Sequence, residues 1–212
     1  MRKIQFALIV AWLLGLGGVL QAADSVQALP PPQMTGGKPV MEALKERKSV
    51  RDFKPDALTD QQMADLLWAA FGVNRPENDH RTAPSAQNNQ DVEIYVATAK
   101  GVFVYEAKPH QLKQVSEEDV RPLTSGQPFA KVAPVQLVYV SDYARMPKVD
   151  AKLRDLYAGV DTGCVVQNVY LYCASAGLAT VVHELDRGPL AKAMQLRADQ
   201  HIVVAQAVGQ PK

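Results

Sequence analysis

Only two of the 212 residues are cysteine and four are histidine, and the formal charges nearly cancel at +1. Each scarcity excludes something. A near-neutral chain lacks the strongly basic face that nucleic acid would require. His80, His110, His183 and His201 show no HxH or HExxH spacing, so no zinc-type site is expected. His80, His110 and His201 read as surface residues, while His183 divides evenly between a surface and a site role. Cys164 and Cys173 fall in one helical pattern, roughly 13 Å apart along its axis at about 1.5 Å per residue. A disulfide needs Cα atoms within about 7 Å, so both should be free, buried thiols. There is no P-loop, no GxGxxG and no internal repeat. Ser85 sits in no nucleophile elbow, and Glu117-Glu118 reads as a solvated helix start.

What the chain does have begins at its first residues. Met1 to Lys3 is basic, Ile4 to Leu20 is an apolar run, and Gln21-Ala22-Ala23 supplies small residues for cleavage. Residues 1–22 therefore read as a secretory signal peptide, which implies export, most simply to a bacterial periplasm. The run approaches the ~20 residues that span a bilayer, so an uncleaved anchor is the alternative; Gly15, Gly17 and Gly18 favour cleavage. No twin arginine is present, so export unfolded is expected, with any cofactor acquired afterwards. Residues 23–38, with Pro30, Pro31, Pro32, Gly36 and Gly37, read as an extended linker, and 39–212 as one domain.

Periodicity within that domain predicts mixed α and β elements. Helices are expected over 39–47 and over 59–71, the latter with a Thr59/Gln62 capping box and a Leu58–Met63 staple. Strands are expected over 91–98, 102–105 and 135–140. A long helix should cover 151–176, with Leu153, Leu156, Val160, Cys164, Gln167 and Leu171 at helical spacing, ended by Gly177. An extended stretch over 178–182, a helix over 189–194 and a strand over 202–208 complete the pattern.

Four segments carry the chemistry. Arg47-Lys48-Ser49-Val50-Arg51 places three cations and a hydroxyl within five residues, a donor set suited to a phosphate. Arg81-Thr82-Ala83-Pro84-Ser85-Ala86-Gln87-Asn88-Asn89-Gln90 is turn-like. Asp161-Thr162-Gly163 and Gln167-Asn168 put polar groups and a glycine on an otherwise apolar helix, where buried amides need partners. Gly177-Leu178-Ala179-Thr180 is a helix stop feeding a strand, followed by His183-Glu184.

In this order the four segments resemble the FMN-dependent nitroreductase family over residues 41–211. The basic segment is similar to its first FMN motif, and Pro84-Ser85-Ala86 with Asn88 and Gln90 to its Pro-Ser-Ser-x-Asn-x-Gln motif. Arg81-x-x-Pro84-Ser85-Ala86, residues 101–105 with His110 and Leu112, and Gln127-Pro128-Phe129 resemble the azoline dehydrogenase branch. The resemblance implies an α+β fold, a mostly antiparallel central sheet flanked by helices around a long core helix. It also implies a homodimer that binds FMN, with two-electron transfer to or from a small organic molecule such as a nitroaromatic or quinone. Alternatives are oxidation of a peptide azoline, or flavin binding without catalysis.

By that resemblance Arg47 and Ser49 would hold the phosphate, Lys48 would lie near the phosphate or ribityl chain, and Arg51 would reach the pyrimidine edge. Pro84, Ser85 and Ala86 would come from the other subunit, with Asn88 orienting their loop. The backbone at Val182, His183 and Glu184 would face flavin N5, although the family usually has Gly at the position of Glu184. Lys212 would take the place of the cation that the family often carries beyond its last strand. The family commonly uses NADH or NADPH, which an exported protein would rarely meet, so the electron donor stays open between these and another reductant.

Overall fold

The computed structural model describes residues 25–212, so the signal-peptide reading of residues 1–22 lies outside it. Among the described residues no helix is long and apolar enough to cross a membrane.

Alternation of side chains in the strands explains how the sheet carries two cores. Seven strands form it: β1 (Val26–Ala28), β4 (Val92–Thr98), β5 (Gly101–Glu106), β6 (Gln111–Ser116), β7 (Val135–Asp142), β8 (Ala179–His183) and β9 (Gln200–Gly209). Their order is β1-β6-β5-β4-β7-β9-β8 and every pairing is antiparallel. A separate small hairpin joins β2 (Val73–Arg75) to β3 (His80–Arg81). β7 is buried along its whole length. Val135, Leu137 and Tyr139 face a core shared with α2 (Asp60–Phe71) and α4 (Arg154–Ala176). Val138 and Val140 face the opposite core, built with Leu190 of α5 (Arg187–Ala193). This alternation follows from the period of two in a strand, and it makes the sheet a platform covered on both faces.

The helix boundaries have local causes. Thr59 Oγ1 accepts the Gln62 N–H at 3.1 Å and Gln62 Oε1 accepts the Thr59 N–H at 3.0 Å, so the expected capping box forms at the start of α2. Such a cap contributes about 0.5–2 kcal/mol. α4 ends where Gly177 takes φ 70 and returns its N–H to Cys173 O, a left-handed position that glycine occupies without a Cβ clash. Cys164 and Cys173 are free, as their spacing requires, but only Cys173 is buried; Cys164 is half-buried.

Two expectations need amendment. The segment read as a linker is extended, but from Ser25 onward it lies against the domain. Val26–Ala28 pair with β6, Leu29 is buried, and the Gln33 N–H donates to Asp65 at 2.7 Å. The second concerns α4. Its buried face is Ala158, Asp161, Thr162, Val165, Val169, Tyr170 and Cys173, whereas Leu153, Leu156 and Val160 are 42%, 58% and 54% exposed. Helical spacing reports that an apolar stripe exists; it does not say which surface that stripe meets.

Candidate functional site

The basic segment is a strand-like strip laid along the edge of the sheet. α1 (Val40–Glu46) ends as Arg47 leaves helical geometry at φ −54, ψ 122. The Val50 N–H then donates to Thr180 O at 2.9 Å, fastening the strip beside β8. Val50 anchors it by packing on the cluster that contains Phe53, Ala179 and Val181. The far end of the chain closes on the same strip: the Lys54 N–H donates to Gln210 O at 2.9 Å and the Lys212 N–H to Asp52 O at 3.2 Å. Lys212 thus lies beside the basic segment although 161 positions separate it from Arg51 in sequence.

Tyr170 of α4 gathers this region. Its hydroxyl accepts the Val182 N–H at 2.9 Å and sits 3.0 Å from Ser49 Oγ, and its ring lies 5.2 Å beneath the Arg47 guanidinium. Lys48 and Val50 line an adjoining cleft of about 240 Å³ with Lys38, Glu46, Tyr170 and Thr180. Arg47 is half-buried, while Lys48, Ser49 and Arg51 are exposed. Among the described residues none of Arg47, Lys48, Arg51 and Lys212 pairs with a carboxylate. Cations held together without counter-charges repel one another and favour an anion among them.

The Pro84 loop is held by different means. The Ala86 N–H donates to both carboxylate oxygens of Asp161, at 3.0 and 2.9 Å, and the Gln90 N–H donates to Ser85 Oγ at 2.9 Å. Gln87, Asn88 and Gln90 all adopt positive φ, 54, 54 and 49 respectively. That bunched left-handed backbone pushes the exposed Pro84 and Asn88 outward, and Asn88 Oδ1 accepts from Gln90 Nε2 at 3.3 Å. Asp161 is 4% exposed, and Asp91, fully buried, lies close to it. Burial pushes the Asp161 carboxyl up to about 6; the Ala86 N–H opposes the rise and Asp91 adds to it.

At the fourth segment backbone and side chains part company. The His183 imidazole is buried, with Nε2 3.0 Å from Gln136 Oε1 and its ring edge-on to Phe129 at 5.3 Å. Burial holds its pKa below the ordinary value, so it is neutral and packed rather than poised for proton transfer. Glu184 is exposed and ion-paired to Arg187, which holds its carboxyl below the usual range. The His183 side chain is therefore turned into the core and away from any ligand at 182–184.

Tyr170 and Asp161 are the residues sequence reasoning missed as organisers. Both stand in the helical segment singled out for its polar groups, where Asp161 was noted without its role as the loop's anchor and Tyr170 was not noted at all. Gln167 is exposed, and Asn168 donates to Ala70 O at 3.4 Å. The signal for Tyr170 was its place one short turn after Gln167-Asn168 on the same helix.

Within one chain the two halves do not meet. Asp161, which holds the loop, and Tyr170, which holds the basic strip, are separated along α4 by roughly 13 Å at about 1.5 Å per residue. Between them on the outer surface run Gly163 and Gln167, both exposed, and a Cβ at Gly163 would meet nothing within 4 Å.

Known proteins are similar to this chain in sequence and fold. The pattern of the nitroreductase family matches residues 44–210. A nitroreductase-type protein of Methanocaldococcus jannaschii is 32% identical over 150 residues, covering 66% of this chain and 75% of that one. A nitroreductase-type crystal structure from Ralstonia eutropha is 39% identical, with a TM-score of 0.85 over 88% of this chain and 90% of that one. Two structures below 25% identity share the fold. A chain of the E. coli microcin synthetase complex has a TM-score of 0.68 at 18% identity, covering 97% of this chain and 85% of that one. The NADPH:FMN oxidoreductase of Vibrio harveyi has a TM-score of 0.61 at 21%, covering 82% and 69%. Fold, the order of the four segments and these likenesses agree: the chain belongs to the nitroreductase family.

Proposed function

We propose that this oxidoreductase binds FMN and, as a homodimer, passes two electrons between the flavin and a small organic molecule such as a nitroaromatic or quinone. One observation carries the reading: the strip Arg47-Lys48-Ser49-Val50-Arg51 offers three cations and a hydroxyl, free of carboxylate partners among the described residues. That donor set fits a phosphate group, since forked and point cations with a hydroxyl donor satisfy its oxygens. Bound FMN supplies the redox chemistry, and the protein supplies position and electrostatics. Arg47 and Ser49, aligned by Tyr170, hold the phosphate; Lys48 and Lys212 add charge beside it. Arg51 sets a cation near the pyrimidine edge, and the main chain at 182–184 faces the reactive ring atom. Pro84, Ser85 and Ala86 of a second copy cover the ring, with Asn88 shaping their loop. The V. harveyi likeness, at its identity, speaks for the fold alone.

Residues 1–22 read as a cleaved signal, which would place the mature protein, beginning at about residue 23, in the periplasm. There NADH and NADPH are scarce, so the donor is best sought by offering both alongside chemical reductants. A second reading, oxidation of a peptide azoline, is favoured by the Arg81-x-x-Pro84-Ser85-Ala86 motif and is tested with a thiazoline peptide in the same assay.

Titrating the apoprotein with FMN by fluorescence quenching should give saturable binding of one FMN per subunit. Arg47→Ala should weaken it about tenfold to a hundredfold, as expected for a charge-assisted contact. Absence of saturable binding would end the flavoprotein reading. Binding without reoxidation of the chemically reduced protein by any acceptor, oxygen included, would leave a flavin-binding protein that is not an enzyme.

A further inference from the structure

A cavity of about 370 Å³ lies away from the basic strip, at the Arg81 end of the second segment. It exists because two neighbouring strands separate. β4 and β5 pair from Thr98↔Gly101 to Tyr95↔Val104 and no further, although β4 begins at Val92 and β5 ends at Glu106. Each strand remains supported on its outer side, β4 by β7 from Val92↔Ser141 and β5 by β6 to Glu106↔Gln111. The result is a wedge within the sheet, walled by Phe71, Val92, Ile94 and Val104.

Arg81 lines this wedge, and its interactions are unusual for a half-buried cation. Nε donates to Gln90 Oε1 at 2.9 Å, Nη1 donates to Phe71 O at 3.3 Å, and the guanidinium lies 5.3 Å over the Phe71 ring. All three partners are neutral, and among the described residues no carboxylate lies within ion-pair distance. The other cations of the wall are matched: Arg145 pairs with Glu93 at 2.5 Å and Asp142 at 3.4 Å, and Lys108 with Asp79 at 2.8 Å. Glu106 accepts from Gln111 at 2.5 Å. A partly desolvated charge without a counter-ion is costly, and burial lowers the Arg81 pKa accordingly.

We propose that the wedge is a second small-molecule site, separate from the candidate flavin site. Its ligand would be a monocarboxylate with an apolar body, the carboxylate on Arg81 and the body against Phe71, Val92, Ile94 and Val104. One unmatched cation selects a single negative charge, a guanidinium suits a planar carboxylate, and the volume falls within the ~300–1,000 Å³ of small-ligand pockets. The proposal does not depend on the flavin reading.

Calorimetric titration of the full protein, with FMN present in excess, should show benzoate and hexanoate binding once per subunit while benzamide and hexanamide do not. This comparison needs no variant. Methyl-labelled isoleucine NMR locates the site: Ile94 in the wedge should shift with benzoate and not with benzamide, whereas Ile202, in the other core, should stay still in both. Arg81→Gln should weaken benzoate about tenfold to a hundredfold. Equal binding of acid and amide, an unmoved Ile94, or absence of saturation would each overturn the proposal. So would benzoate binding that FMN abolishes.

Discussion

Tyr170 connects three backbone-level decisions through one hydroxyl and one ring. It receives the Val182 N–H, meets Ser49 and underlies Arg47. Tyr170→Phe keeps the ring and removes the acceptor, leaving a β8 amide and the Ser49 hydroxyl to water; a loss of about 1 kcal/mol is expected. A urea midpoint lowered at unchanged m-value would show it. Two buried ionisable groups act on stability in opposite directions. His183 has a depressed folded pKa, so the unfolded chain takes the proton first as pH falls below about 6.5. Its contribution is complete above that value and lost below it. His110, also lowered by burial and 2.9 Å from the Tyr105 hydroxyl, adds to the same slope. His183→Gln should therefore flatten, without abolishing, the fall in Tm between pH 7 and 5. Asp161 works the other way: its pKa, raised to about 6, gives stability that is full below about 4 and lost as pH rises through 6. Asp161→Asn keeps an acceptor for the Ala86 N–H and removes the charge beside Asp91. Its Tm at pH 8 should equal or exceed that of the parent; a lower Tm would mean that the ionised carboxylate is what holds the loop.

At the scale of elements, what the sequence revealed depended on how strongly each segment repeats. β4, β5, β7 and β9 are dense in Val, Ile and Tyr, and α2 carries its own capping box, so pattern alone located them. β6 (Gln-Leu-Lys-Gln-Val-Ser) has two apolar residues in six, and β2, β3 and α3 (Pro128–Val132) are five residues or fewer. Such pieces are defined by their partners and not by their own composition. The candidate site divides similarly. The cations and the Pro84 turn stand out as residue types, whereas Asp161 and Tyr170 matter through contacts 75 and 121 positions away, which no local pattern contains. The loop offers an element-level test. Ala86 is tied to α4 by Asp161 alone of the side chains, so Asp161→Ala should free residues 84–88 while leaving the sheet intact. Faster amide exchange confined to that loop and the adjoining turn of α4 would be the signature; exchange spreading into β4 would contradict it.

For the whole molecule, half of the large exposed apolar side chains among the described residues fall on two elements that pack together. Val40, Met41 and Leu44 of α1 are 61%, 73% and 45% exposed, and Leu156 and Val160 of α4, the helix α1 packs against, are 58% and 54% exposed. Exposed apolar area of this kind suits an association face, and in the proposed two-fold dimer one copy's Pro84 loop meets the other's basic strip. Leu156→Lys places like charges across such an axis at little cost to the single chain. Sedimentation should report dimer for the parent and monomer for the variant, with identical far-UV circular dichroism; a monomeric parent at micromolar concentration would remove the dimer. Chain ends matter at this scale as well. β1 is only three residues long, yet it occupies the outermost position on the β6 side of the sheet. Trimming the protein to begin at Met34 would strip that strand and uncover the backbone donors and acceptors of β6, a template onto which further copies can add. Light scattering should then rise with time and concentration, while a chain beginning at Ser25 stays clear: a piece that resembles a dispensable leader acts as the molecule's guard against self-assembly.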